Sequence, residues 1–115
     1  MAELKELQTT EELEQMWQGS SKKPIILFKH STTCPISAGA ISQYQTFIES
    51  SEADVDCFLV KVIEDRNVSN QIETMANVKH ESPQIFLVSN KEVVWHTSHS
   101  KITADSIREG LKKIM

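Results

Sequence analysis

The run Cys34-Pro35-Ile36-Ser37 is where this sequence can do chemistry. Upstream lies Ile25-Ile26-Leu27-Phe28, a β-branched, apolar run short enough for a buried strand. Downstream, Ile36, Ala40, Ile41, Tyr44, Phe47 and Ile48 recur at helical spacing, which predicts a helix with these residues on its buried side. Cys34 thus falls where a strand hands over to a helix. Pro35 suits the first helical position, because its fixed φ fits that turn and its missing N–H would be unpaired anyway. Cys34 is then at or beside the N-cap, where unpaired amides and the positive end of the helix dipole favour a negative group. For a cysteine that group is the thiolate, its nucleophilic form.

Ser37 falls at about the third helical position, where its backbone N–H and its hydroxyl can point back at the sulfur. The plainer reading makes Cys34 a simple cap and Ser37 a solvated helix residue. Against it, Ser, Thr, Asn and Asp cap helices better than cysteine. His30 lies four residues before Cys34. It either lends charge that favours the thiolate or points away from it.

The second cysteine, Cys57, sits inside Val55 to Val62, a second strand-like run with Phe58, Leu59 and Val60. Free cysteine behaves there as a small buried hydrophobe, and an apolar setting suppresses its reactivity. The alternative is that Cys57 resolves a disulfide with Cys34, because neighbouring parallel strands can bring distant residues together. No metal site is expected: two cysteines at this spacing and four scattered histidines do not make a zinc ligand set.

The elements that must hold Cys34 can be read in order. Leu4 and Leu7 suggest a short edge strand. Thr9 and Glu12 stand at capping-box spacing ahead of a helix whose Leu13, Met16 and Trp17 share a face. Gly19-Ser20-Ser21 ends it. Pro24 to Lys29 is a central strand, and the helix after Cys34 runs to about Ile48 or Glu49. Ser50 to Asp54 is a polar connection. Glu64-Asp65-Arg66-Asn67 turns into a helix with Val68, Ile72, Met75 and Ala76 inward and Asn77 as a left-handed stop. Pro83 opens the strand Gln84 to Val88, which Ser89-Asn90-Lys91 turns into Glu92 to Thr97 as an antiparallel pair. Trp95 is read as packing. Thr103 caps a last helix, with Ile102 and Ile107 as a hydrophobic staple. Ala104, Ile107, Leu111 and Ile114 form its inner face. Strands alternating with helices predict a parallel first part, and the closing hairpin adds antiparallel strands.

Composition sets the broad class. One domain spanning 1–115 is expected from the length, large enough for a core without disulfide staples. A net charge of −4 gives no general attraction to nucleic acid or to an anionic membrane. No apolar run approaches the ~20 residues of a membrane helix. Met1-Ala2-Glu3-Leu4-Lys5-Glu6 lacks the apolar core of an export signal, so a cytoplasmic setting is the expectation. A permanent structural disulfide is not expected there.

Phe28-Lys29-His30-Ser31-Thr32-Thr33-Cys34-Pro35-Ile36-Ser37 resembles the site of the small monothiol bacilliredoxins, with the Cys-x-x-Ser arrangement of monothiol members of the thioredoxin superfamily. Met75-Ala76-Asn77-Val78 followed by Ser82-Pro83-Gln84 resembles the thioredoxin pattern of helix, Val and a cis-proline opening a strand. This resemblance implies a thioredoxin-like α/β fold, a mixed sheet between helices. It implies that Cys34 is the catalytic thiol, supported by Pro35, Ser37 and His30. It also implies that Thr33, Ser82 and Pro83 meet the substrate, with Pro83 facing the sulfur. The activity implied is removal of a small thiol from S-thiolated client proteins, with bacillithiol as exchanging co-substrate and no bound cofactor. Residue chemistry does not separate bacillithiol from glutathione. Lys29, His30 and Lys79 are candidates to meet an acidic small thiol, and each is equally a surface group.

Two positions depart from thioredoxins. Their buried acid six residues before the cysteine is Phe28 here, and the Trp just before it is Thr33. Both weaken dithiol activity and leave monothiol exchange intact. Two other readings stay open. One is a non-catalytic thioredoxin-fold binding module, with extended peptide paired beside Ser82-Pro83. The other is a glutaredoxin-like carrier of a [2Fe–2S] cluster, against which stands Cys-Pro-Ile-Ser in place of Cys-Gly-Phe-Ser.

Overall fold

The computed structural model describes residues 4–50 and 54–114. Residues 51–53 of the expected polar connection lie outside that range. The chain runs β1 (Leu4–Glu6), α1 (Thr10–Gly19), β2 (Ile25–His30), α2 (Pro35–Ser50), β3 (Asp56–Lys61), α3 (Arg66–Ala76), β4 (Gln84–Ser89), β5 (Glu92–Ser98), a 3-10 turn (His99–Lys101) and α4 (Ala104–Lys112).

The strands form one five-stranded sheet in the order β1-β3-β2-β4-β5. β1 and β2 both pair parallel to β3. β4 runs antiparallel to β2, and β5 antiparallel to β4. This is the thioredoxin-like mixed sheet that the order of elements predicts.

β2 is central and apolar because both its faces are covered. Ile26 and Phe28 face α2 and α4, packing with Tyr44, Phe47, Ile107 and Leu111. Ile25 and Leu27 face α1 and α3, packing with Leu13, Trp17, Val68 and Ile72. Burying each such large side chain contributes about 1.5–3 kcal/mol.

Local chemistry fixes the ends. Thr9 Oγ1 accepts the Glu12 N–H at 3.1 Å, while Glu12 Oε1 accepts the Thr9 N–H at 3.1 Å. Thr103 and Ser106 make the matching reciprocal pair at α4, both bonds 3.0 Å. Asn77 adopts the left-handed conformation after α3, φ 55° and ψ 40°. Asn90 and Lys91 both have positive φ, 52° and 64°, as a two-residue type I′ hairpin turn requires. Ser20 anchors that turn: its carbonyl accepts the Asn90 N–H and its Oγ the Lys91 N–H, each at 2.9 Å.

The start of α2 differs from the expected buried stripe. Ile36 is 51% exposed, not part of the buried stripe, and Ser37 is wholly buried in its place. The inward face of α2 is set by Ala40, Tyr44, Phe47 and Ile48. At about 100° per residue both Ile36 and Ser37 lie near that face, so periodicity does not separate them; the bond from the Ser31 N–H holds Ser37 inward.

Candidate active site

β2 ends at His30, and Ser31 to Cys34 turn the chain into α2. The Cys34 N–H donates to Ser31 O at 3.3 Å, and Cys34 O accepts the Ala38 N–H at 3.1 Å. Cys34 therefore closes the first helical turn from outside it, as an N-cap does. Pro35 occupies the first helical position. The N–H groups of Ile36 and Ser37 have no hydrogen-bond acceptor among the described residues. Cys34 is part-exposed, and Thr33, Pro35 and Ile36 beside it are exposed. Cys34 thus stands at the positive end of a sixteen-residue helix, a place that favours an anion such as a thiolate.

Ser37 is not the solvated residue of the plainer reading. Its Oγ accepts the Ser31 N–H at 3.0 Å and lies 2.7 Å from His30 Nδ1. The hydroxyl keeps its proton to donate, and a neutral ring accepts it at Nδ1 when its own proton is on Nε2. Burial pushes the His30 pKa below its ordinary value; Glu64 opposes the shift and Lys61 adds to it. His30 is thus a neutral imidazole at pH 7, bonded to Ser37 rather than lending charge to the sulfur. Together His30, Ser37 and Ser31 brace the turn that carries Cys34.

Across the strand pair, Lys29 faces Gln84 in register, so Pro83 enters the sheet beside the end of β2. Pro83 is buried, and the Ser82-Pro83 bond is cis. Pro83 O accepts the His99 N–H at 3.0 Å, where His99 holds a positive φ of 55°. The Ser82 hydroxyl is buried with no hydrogen-bond partner among the described residues. A groove of about 350 Å3 runs beside the cysteine turn, lined by Pro35, Ile36, Gly39, Gln43, His99 and Ser100 among others. Sequence reasoning missed His99, since a histidine in a loop has no spacing that announces a contact with Pro83.

The three candidate cations fare differently. Lys79 is exposed. His30 is engaged as described. Lys29 is fully buried, a correction to its reading as a surface group. It points to the α1 and α3 side, because it alternates with Phe28 and His30 along β2.

Cys57 is fully buried beside Tyr44, and burial pushes its thiol up to about 11. It pairs with Ile26, four residues before His30, so it lies ~13 Å down the strand from the end of β2. Tyr44 is ten residues along α2 from Cys34, a distance of ~15 Å. A disulfide needs Cα atoms within about 7 Å. The structure does not bring the two cysteines together, and Cys57 is core. Among the described residues no group of three or more His, Cys, Asp or Glu is placed to hold a metal ion. No described helix is long and apolar enough to cross a membrane.

Fold and site together define a thioredoxin-fold protein with one part-exposed cysteine at the start of α2. A structure described as a candidate oxidoreductase with a thioredoxin fold is 34% identical, with a TM-score of 0.85, covering 94% of this chain and 93% of that one. The oxidised mitochondrial thioredoxin 3 of Saccharomyces cerevisiae superposes with a TM-score of 0.74 at 14% identity, covering 96% and 95% of the two chains. Fasciola hepatica thioredoxin gives 0.76 at 14% identity, covering 96% and 99%. These last two share the fold. The profile described as monothiol bacilliredoxin BrxC matches residues 5–107, and the chain belongs to that family. Its role is in thiol redox chemistry.

Proposed function

We propose that this protein removes a small thiol, bacillithiol by family membership, from mixed disulfides on client proteins, with Cys34 as the single exchanging thiol. The observation that carries this reading is the pairing of one part-exposed cysteine at a helix N-terminus with a buried serine three residues on. The Cys34 thiolate attacks the small-thiol sulfur of the mixed disulfide. A new S–S bond forms to Cys34, the old one breaks, and the client leaves as its own thiolate. A second small thiol, as thiolate, attacks the adduct on Cys34. It departs as a symmetrical small disulfide and restores the Cys34 thiolate. No electrons are needed from a bound cofactor. Extended client backbone docks at Ser82 and Pro83, and Thr33 and Pro35 flank the attacked bond.

Serine at position 37 cannot close a local disulfide and expel a bound client, so the reaction favours small-thiol exchange over reduction of protein disulfides. The test is recovery of free client thiol from an adducted peptide in the presence of bacillithiol. Wild type and Cys57→Ala are expected to act alike, and Cys34→Ser to be inactive. Equal activity in Cys34→Ser would hand the site to the binding-module reading. Visible absorption from an iron–sulfur cluster in the purified protein, with no exchange, would favour the cluster carrier.

A further inference from the structure

Lys29 is fully buried in the central strand, yet it makes no ion pair among the described residues. Its neighbours on that face, Ile25 and Leu27, are apolar, and an apolar residue would avoid the desolvation of an ammonium. Instead Lys29 Nζ reaches 2.6 Å to His80 Nδ1, and His80 lies over it at the surface. The His80 N–H donates to Glu73 Oε2 at 2.7 Å. Gln84, the β-ladder partner of Lys29, holds the residues on either side: its Nε2 donates to Lys79 O at 3.0 Å and its Oε1 accepts the Glu81 N–H at 3.2 Å. Residues 79, 80 and 81 are thus each fixed, and the next two are Ser82 and Pro83.

Resting on the exchange reading above, we propose that Lys29 and His80 are positioning residues for client docking, a tether that sets the Ser82-Pro83 segment from the far face of the sheet. At neutral pH the tether holds as an ammonium donating to a neutral imidazole, and it fails when both groups are charged. Burial, then the charge of Lys29, then Arg66 keep His80 below its ordinary pKa, while Glu73 and Glu81 oppose them. Burial brings Lys29 down to about 8, and Glu73 opposes that shift. As pH falls through the depressed pKa of His80 the ring becomes imidazolium, two cations face each other and the tether opens. Docking then weakens as pH falls.

The test uses steady-state exchange on a peptide carrying a bacillithiol mixed disulfide, at pH 7.5 and 5.5. The thiol-exchange step is common to every variant, so KM relative to wild type at the same pH is the readout. Lys29→Met and His80→Leu are expected to raise KM about fivefold at pH 7.5, the effect of roughly one lost loop-fixing hydrogen bond, with kcat within twofold. His80→Gln keeps an acceptor that does not titrate. It is expected to keep the wild-type KM at pH 7.5 and to lose the rise seen in wild type at pH 5.5. Because His80 is exposed, both of its variants should fold. An unchanged KM in His80→Leu, or the same acid rise in His80→Gln, overturns the proposal. Amide exchange of His80 and Glu81 gives a second readout, corrected for its intrinsic pH dependence. Faster exchange at pH 5.5 in wild type and not in His80→Gln supports the tether even if wild type shows no thiol exchange. In that case the functional reading fails and the tether stands. No pH effect on those amides overturns it.

Discussion

Cys34 and Cys57 are the same group in two settings, and the settings decide their chemistry. A thiol pushed up to about 11 from 9 carries about a hundredfold less thiolate at neutral pH. Its burial adds a steric bar. Native protein at pH 7.5 is expected to react with one equivalent of a thiol reagent quickly, and with the second only after unfolding, which labelling with mass detection will show. Two fast equivalents would mean that Cys57 is accessible. His30 and His80 carry a linked consequence for stability. Both have folded pKa values below the ordinary 6.5. Below 6.5 the unfolded chain therefore binds more protons than the native one, and stability falls as pH falls. Urea midpoints should drop between pH 6.5 and 5.5 in wild type. They should drop less in a His30→Asn, His80→Gln double variant.

Helix α2 carries the site, and its anchors are specific. Tyr44 is fully buried, stacks on Phe28 with centroids 5.3 Å apart, and donates to Phe58 O at 3.2 Å. Tyr44→Phe removes the hydroxyl's bonds to Phe58 O and Ile26 O, and is expected to cost about 1 kcal/mol by denaturant unfolding. Helix α4 makes the opposite point. Alanine at Gly110 would normally gain about 1 kcal/mol of helix propensity. Here its Cβ would sit 2.7 Å from the Trp95 ring, so Gly110→Ala is expected to lower the melting temperature instead. The sequence showed the caps Thr9 and Thr103, the left-handed Asn77 and the Asn90-Lys91 turn, because each depends on neighbours within a few residues. The inward face at the start of α2 was harder to read. Ile36 suits a core and Ser37 a surface by type alone, and the bond from Ser31 that buries Ser37 comes from the preceding turn.

At the scale of the whole molecule, the strand order explains both the monothiol geometry and the limits of the sequence reading. Parallel pairing of β2 with β3 is legible from alternation, but the register that puts Cys57 against Ile26 is not, and that register keeps the cysteines apart. Lys29 was unreadable for a related reason. Lysine is rarely buried, and its partner His80 lies fifty-one residues away across the sheet. The fold gives one part-exposed thiol beside a proline-opened strand, and the proposed function requires that a small thiol move to that atom. Intact-mass measurement of a single turnover tests it most directly. Reduced protein is mixed with an equal amount of bacillithiol-adducted peptide, with glutathione-adducted peptide in parallel, and quenched with acid. One added small-thiol mass on Cys34 is expected, matched by an equal yield of free peptide thiol, and neither in Cys34→Ser. A peptide–protein disulfide accumulating in its place, or a Cys34–Cys57 disulfide after adduct loss, would contradict it.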